Sequence, residues 1–175
     1  SKFFKESFHY IDISSINSEE KTIQTFSACS VKQAPSRARK LVRKNDILFA
    51  TTRPYLENIA MLPDTFNDFI ASTGFCVIRA NPKYTMPDFL FFNVISKSFI
   101  KKVLPFQRGA NYPAVSDKNI YGIKIPLPPL ETQKQIVEKL SAAQEYKNQL
   151  LAQKSLLKEL FDSVLHKSMK GELDN

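Results

Sequence analysis

At 175 residues the chain has room for one compact domain and one further element, and its 43% apolar content, with fourteen Phe, supplies a core. No run approaches eighteen apolar residues, which excludes a membrane span. The net charge is +8, but residues 130–175 hold seven basic and seven acidic side chains. The whole excess therefore lies in residues 1–129, and basic charge concentrated on a globular domain indicates a polyanion partner.

Composition also argues against common catalytic sites. The four glycines, at 74, 109, 122 and 171, cannot form a Gly-rich phosphate or cofactor loop. His9 and His166 stand far apart in sequence without a Cys pair, and no acidic cluster suggests a bound metal. The sequence thus predicts a non-catalytic chain with no cofactor and no metal. Cys29 and Cys76 are expected to be buried free thiols, which favours a cytoplasmic setting.

Taken in order, residues 1–129 predict one α/β (α+β) domain of short strands and helices. Alternating or apolar runs bounded by turn residues predict strands at 9–13, 22–26, 46–50, 58–62, 75–79 and 122–125. Helices are predicted at 87–95, with Pro87 in the first turn, and at 98–103. Residues 51–55 read as a turn and residues 105–115 as a loop.

Residues 130–175 predict one long helix that pairs with another helix. No Pro or Gly interrupts residues 130–170, Thr132 and Gln135 fit a capping box, and Gly171 suits the position after the last turn. From 132 to 170 the helix would measure about 58 Å. A heptad seam runs along it, with Lys147 and Lys154 in its centre. The seam residues are Ile136, Leu140, Ala143, Leu150, Leu157, Phe161 and Val164.

Three segments carry side chains suited to binding DNA. Lys and Arg attract phosphates whatever the DNA sequence. Arg can also form two hydrogen bonds with guanine, and Asn can form two with adenine. The first segment is the most basic stretch, the second follows the predicted strand 46–50, and the third is the predicted loop. The candidates are Ser36, Arg37, Arg39, Lys40, Arg43 and Lys44; Thr51, Thr52, Arg53 and Tyr55; and Arg108, Asn111 and Tyr112. We expect Arg53 and Arg108 to read bases and the 37–44 group to contact mainly phosphates.

The same segments carry a family resemblance. Residues 39–55, with Asn45-Asp46-Ile47-Leu48-Phe49-Ala50-Thr51-Thr52-Arg53-Pro54-Tyr55, and Ile70-Ala71-Ser72-Thr73-Gly74-Phe75 resemble the target recognition domain of type I restriction-modification specificity subunits. Ile125-Pro126-Leu127-Pro128-Pro129-Leu130-Glu131-Thr132-Gln133 is similar to the passage into their spacer helix, and Lys170-Gly171-Glu172-Leu173 to its end. The resemblance covers nearly the whole chain, with residues 1–129 as recognition domain and 130–175 as spacer.

The resemblance implies a DNA-binding subunit that performs no chemistry and directs separate methyltransferase and restriction subunits to a bipartite site. A complete specificity subunit has two recognition domains and two antiparallel spacer helices, whereas this chain has one of each. We therefore expect either a homodimer or the other half of a longer subunit to supply the second set. Two alternatives remain: a dimeric transcriptional regulator with the same DNA domain, and a small methyltransferase or nuclease.

Overall fold

A computed structural model describes residues 6–66 and 69–170, and it combines mixed sheets with helices, as the sequence predicts. The described ranges contain nine strands and four α-helices. The strands are β1 (Ser7–Ile11), β2 (Ile16–Asn17), β3 (Thr22–Ile23), β4 (Ser27–Ser30), β5 (Ala38–Leu41), β6 (Ile47–Ala50), β7 (Ile59–Met61), β8 (Phe69–Ser72) and β9 (Phe75–Ile78). The helices are α1 (Pro87–Val94), α2 (Lys97–Val103), α3 (Asp117–Tyr121) and α4 (Leu130–Lys170).

The strands form two main sheets and a small hairpin. One sheet has the order β4-β1-β8-β5, in which β1 and β8 are parallel and the other pairs antiparallel. The other sheet has the order β7-β6-β9 and is antiparallel throughout, and β2 pairs with β3. Because only the β1–β8 pair is parallel, most of the strand pairing is antiparallel, and much of it joins strands that are distant in sequence.

Strand β6 is the centre of the core. Its four residues are all buried because side chains that alternate across the strand face two apolar clusters. Ile47 and Phe49 pack with the α1 and α2 residues, while Leu48 and Ala50 pack with residues of β1, β8 and β9. The apolar run predicted at 46–50 is therefore a strand covered on both faces, and both of its ends lead into polar segments that position the candidate site.

Several element predictions need correction. The strand predicted at 122–125 is absent from the described residues, because Ile123 and Ile125 pack against the helical cluster without a ladder partner. The strand predicted at 22–26 is only β3, and the 9–13 strand begins and ends two residues earlier as β1, since Ile13 starts a short 3-10 helix. Sequence reasoning missed β2, β4, β5, β8 and α3.

The start of α4 differs from the predicted capping box. The helix begins at Leu130, so Thr132 lies inside it. Gln133 is fully buried instead; its Oε1 accepts from the Met86 N–H at 3.0 Å, and its Nε2 donates to the Tyr84 and Pro128 carbonyls at 2.9 and 2.8 Å. This one amide fixes the first turn of α4 to the loop before α1. Gly171 lies outside the described residues.

The chain divides into two compact units between Lys134 and Gln135, five residues after the boundary predicted at 129/130. The shift reflects the first turn of α4, which the buried Gln133 joins to the first unit. In the second unit Ile136 and Val137 are half-buried, whereas the large apolar side chains from Leu140 onward are exposed, with Leu150 at 47% and Leu157 at 67%. Among the described residues, no helix is long and apolar enough to cross a membrane.

Candidate nucleic-acid interface

Two of the three predicted segments meet at the end of β6. The chain leaves β6 at Ala50 and turns, and the Arg53 N–H donates to the Pro113 carbonyl at 2.7 Å. The Val115 N–H donates to the Thr51 carbonyl at 2.9 Å, and Thr52 forms an antiparallel bridge with Ala114. Main-chain hydrogen bonds therefore join the turn and the 108–114 loop into one surface, which we call the reading face.

Arg53 and Tyr112 stack at the centre of the reading face. The guanidinium carbon of Arg53 lies 5.0 Å from the ring centroid of Tyr112, within cation–π range, and the ring is 71% exposed. Arg53 has a left-handed backbone, with φ of 50°, which is uncommon for a residue with a side chain. Such conformations persist where surrounding contacts enforce them and concentrate at functional sites. The main-chain bond to Pro113 and the stack on Tyr112 are such contacts here.

The loop that carries Tyr112 is closed on itself. Arg108 and Ala114 exchange both main-chain hydrogen bonds at 2.9 Å, and Gly109 between them has φ of +97°. A side chain at Gly109 would bring its Cβ 3.1 Å from the Tyr112 carbonyl oxygen, so the position favours glycine. The Arg108 guanidinium donates to the Gln107 carbonyl at 2.9 Å, while Asn111 is exposed at the loop tip. Several polar side chains are thus presented on a short, closed loop.

The basic segment, residues 36–44, reaches the reading face only at its N-terminal end. The Thr73 N–H donates to the Arg37 carbonyl at 2.9 Å, and the Gly74 carbonyl accepts from the Thr51 N–H at 2.8 Å. The turn between β8 and β9 therefore links Arg37 to the start of the Arg53 turn. Arg39 is exposed on β5 and its Nε donates to the Ser36 carbonyl at 2.9 Å. Ser36, Arg37 and Arg39 extend the reading face with exposed polar and basic side chains.

Two residues that were predicted to contact DNA use their polar groups in contacts within the domain. Thr51 is only 8% exposed, and its hydroxyl donates to the Gly74 carbonyl at 2.9 Å, so it does not present a hydroxyl to solvent as expected. Lys40 forms an ion pair with Asp117 at 2.6 Å and also donates to the Phe75 carbonyl. This pair joins β5 to α3, because Asp117 is the first residue of that helix. Thr52 and Tyr55 remain accessible, with Tyr55 49% exposed.

Arg43 and Lys44 lie at the opposite end of β6. They precede Asp46, whose fully buried carboxylate accepts from the Arg43 N–H at 2.8 Å and from two nitrogens of Arg79 at 2.6 Å. That carboxylate raises the pKa of the Arg79 guanidinium through its hydrogen bonds. A cleft of about 260 Å³ opens there. It is lined by Arg43, Lys44, Asn45, Arg79, Ala80, Pro82 and Pro87. The basic stretch is therefore split between the two ends of one strand.

The reading face has the chemistry of a nucleic-acid-binding surface. It combines guanidinium groups, hydroxyls, an amide and an exposed aromatic ring on loops that a buried strand holds. Across the described ranges, no group of three or more His, Cys, Asp or Glu side chains could hold a metal ion. Sequence reasoning did not predict the β8–β9 turn, whose Thr73 N–H holds the Arg37 carbonyl, although its Ser-Thr-Gly sequence is typical of a turn beside a strand.

The comparisons with known proteins agree with this class. Residues 4–159 match the family model of the type I restriction modification DNA specificity domain. The chain is 28% identical over 111 residues to the type I restriction enzyme HindI specificity subunit of Haemophilus influenzae, across 62% of this chain. A crystal structure of the HsdS subunit from Thermoanaerobacter tengcongensis superimposes with a TM-score of 0.76 at 42% identity, over 90% of this chain.

A second solved structure, described as the structural basis of complex assembly and conformational transition of the type I R-M system, gives a TM-score of 0.80. It is 40% identical and covers 93% of this chain. This chain therefore belongs to the type I restriction-modification DNA specificity domain family, as its motifs predict. It spans 24% of the Haemophilus subunit and 41% and 42% of the two structures. Specificity subunits of type I systems are generally non-catalytic.

Proposed function

We propose that this chain reads one half of a bipartite DNA site for a type I restriction-modification complex and performs no chemistry itself. The observation that carries the proposal is the stack of Arg53 on Tyr112, held where the 51–55 turn and the 108–114 loop are hydrogen-bonded together. A guanidinium that is held against an aromatic ring loses less rotamer freedom when it meets a base edge. The exposed ring beside it offers apolar contact within a groove.

Residues of the reading face divide by role. Arg53 and Arg108 read bases, because a guanidinium can donate two parallel hydrogen bonds to guanine, and Asn111 can pair similarly with adenine. Arg37 and Arg39 contact phosphates beside them, with hydroxyl contacts from Ser36 and Thr52 and ring contact from Tyr55. Arg43 and Lys44 act as a separate basic region on the other end of β6.

The partners follow from the family and from α4. Double-stranded DNA binds the reading face, and methyltransferase and restriction subunits supply the chemistry at the site so selected, in the cytoplasm. The domain of residues 1–129 carries recognition, and residues 130–175 carry the spacer. The exposed seam of α4 pairs in antiparallel fashion with a second spacer helix, from a second copy of the chain or from the other half of a longer subunit.

Competition binding tests the proposed function. The chain is co-expressed with its methyltransferase subunit, the purified complex is assayed against random duplexes, and the selected sequence is compared with scrambled duplexes at fixed salt. We expect selection of one two-part sequence and no methyl transfer by the chain alone. Equal affinity for selected and scrambled duplexes would contradict DNA specificity, and methyl transfer by the isolated chain would contradict the non-catalytic role.

A further inference from the structure

The segment between Arg53 and Glu57 has an unusual backbone. Arg53 and Glu57 have φ of 50° and 53°, and the 3-10 turn Pro54–Leu56 lies between them. In the described ranges, the other non-glycine residues with positive φ are Lys21 and Asn45. A turn bounded by two left-handed residues keeps its shape only when outside contacts hold both ends.

Lys21 supplies the contact at the C-terminal end of this turn. Its Nζ donates to the Glu57 carbonyl at 2.8 Å and to the Glu57 carboxylate at 3.1 Å. The side chains of the pair are 17% and 35% exposed, so solvent screens the ion pair only in part. Pro113 holds the other end, where its carbonyl accepts from the Arg53 N–H at 2.7 Å. Tyr55 and Leu56 between them are about half exposed.

The hairpin that carries Lys21 is itself fixed. The Lys21 N–H donates to the Asn17 carbonyl at 2.9 Å, and the Asn17 side chain accepts from the Glu19 N–H at 2.9 Å. Ile16 and Ile23, which face each other across the β2–β3 pair, pack in the core cluster beside β6. Lys21 therefore reaches the recognition turn from a rigid base.

We propose that Lys21 is a positioning residue for DNA recognition, which holds the Arg53–Glu57 turn in one arrangement rather than contacting phosphate. The proposal rests on the proposed function. The Nζ of Lys21 already donates to the carbonyl and to the carboxylate of Glu57, so the ammonium is poorly placed to contact a phosphate. Without the two hydrogen bonds from Lys21, the C-terminal end of the turn is no longer held in place. Arg53 and Tyr55 then sample several positions. Discrimination between DNA sequences falls, while electrostatic attraction to any duplex is nearly unchanged.

The test uses the assembled complex and the duplex selected by the parent complex. Lys21→Met keeps most of the side-chain length and removes the ammonium, Lys21→Arg keeps a donor, and Lys32→Met is a control that removes an exposed lysine elsewhere. Affinities for selected and scrambled duplexes are measured across a salt series, below the melting temperature of every variant. We expect Lys21→Met to lower the ratio of the affinities for the selected and scrambled duplexes by about tenfold, which is comparable to losing one base contact. The salt slope, meaning the slope of log affinity against log salt concentration, should equal that of the parent. Lys21→Arg should restore most of the ratio.

Other outcomes overturn the proposal. An unchanged ratio in Lys21→Met, in a parent that discriminates, contradicts positioning and leaves the proposed function intact. An equal loss of affinity for both duplexes, with a salt slope smaller by about 0.9, would identify Lys21 as a phosphate contact and overturn the proposal. A parent complex that binds the selected and scrambled duplexes equally would contradict the proposed function itself. If Lys21→Met does not fold, Glu57→Gln decides by the same criteria with a smaller expected loss, because the carbonyl contact remains.

Discussion

The Oε1 atom of the buried Gln133 accepts a hydrogen bond from the Met86 N–H at 3.0 Å, which ties the first turn of α4 to the residue before α1. The same side chain donates to two carbonyls, so all of its polar atoms have main-chain partners. Gln133 is the glutamine of the Pro-Leu-Pro-Pro-Leu-Glu-Thr-Gln segment that carries the family resemblance most specifically. A structural role thus accounts for an amide at that position.

Replacing Gln133 should therefore destabilise the chain. Gln133→Ala leaves a buried N–H and two carbonyls without this partner, and we expect a loss of about 3 kcal/mol in the free energy of unfolding. Urea denaturation followed by circular dichroism measures it. Gln135→Ala, at an exposed position on the same helix, should change stability by less than about 0.5 kcal/mol. Equal stabilities of the two variants would contradict the assigned role.

The buried thiol of Cys76 predicts a loss of stability at high pH. Burial raises the pKa of Cys76 to about 12, and local desolvation of the hydroxyl together with a hydrogen bond to Cys76 raises the pKa of Tyr121 to about 12, although Tyr121 as a whole is 59% exposed. Both groups ionise more readily in the unfolded chain. The stability that the folded chain gains from keeping both groups neutral is therefore complete below about pH 9 and is lost as the pH rises towards 12.

Urea unfolding at pH 8 and at pH 10.5 tests this dependence. The free energy of unfolding should fall less between the two pH values in Cys76→Ala than in the parent, because one of the two groups is gone. Cys29→Ala, which alters a half-buried thiol, should follow the parent. An identical fall in all three proteins would show that the Cys76 thiol does not titrate as its burial requires.

The split of the basic stretch gives a prediction about phosphate contacts. Arg37 lies beside the reading face, whereas Arg43 and Lys44 lie at the other end of β6. We expect Arg37→Ala to weaken binding to all duplexes and to lower the salt slope by about 0.9. The double variant Arg43→Ala/Lys44→Ala should have the smaller effect, although it removes two charges. Lys40 is left intact because its ion pair with Asp117 supports the fold. Salt-dependent binding in which the double variant loses more would reverse the assignment.

The exposed seam of α4 predicts an antiparallel pair. The seam from Ile136 to Val164 is about 42 Å long at 1.5 Å per residue, and an apolar stripe of that length that is largely exposed favours self-association. Leu150→Glu/Leu157→Glu should give a monomer, whereas Asn148→Glu/Ser155→Glu, with the same added charge off the seam, should remain dimeric. Light scattering at tens of micromolar distinguishes them. A monomeric parent, or a dimer that survives the leucine substitutions, would contradict pairing of two copies.

The sequence was most informative where local pattern and burial coincide. The apolar run at 46–50 and the helix at 87–95 appear as β6 and α1, and the uninterrupted stretch after the prolines appears as α4. Strand β5 was missed because Ala38–Leu41 carries an Arg and a Lys, and its ladder with β8 joins residues about thirty positions apart. Such pairing is not visible in local periodicity.

The candidate site shows the same division. Residue types located Arg53, Arg108 and Tyr112, yet the stack of Arg53 on Tyr112 depends on hydrogen bonds between segments almost sixty residues apart. The sequence did not show that Arg37 lies near the end of β6 whereas Arg43 and Lys44 lie before its start. Lys40 counted as a surface charge until the structure paired it with Asp117. Tertiary contacts, not composition, decide which charges remain free.

The most direct test of DNA reading by this chain is a map of methylated bases in cells that carry the gene with its methyltransferase subunit. The parent should direct methylation to one two-part sequence. Arg53→Ala should lose or relax recognition in the part that this domain reads, while Lys101→Ala, an exposed lysine on α2, should keep the parent pattern. An Arg53→Ala pattern identical to the parent's would contradict base reading at the stack. Methylation independent of this chain would contradict its role in specificity.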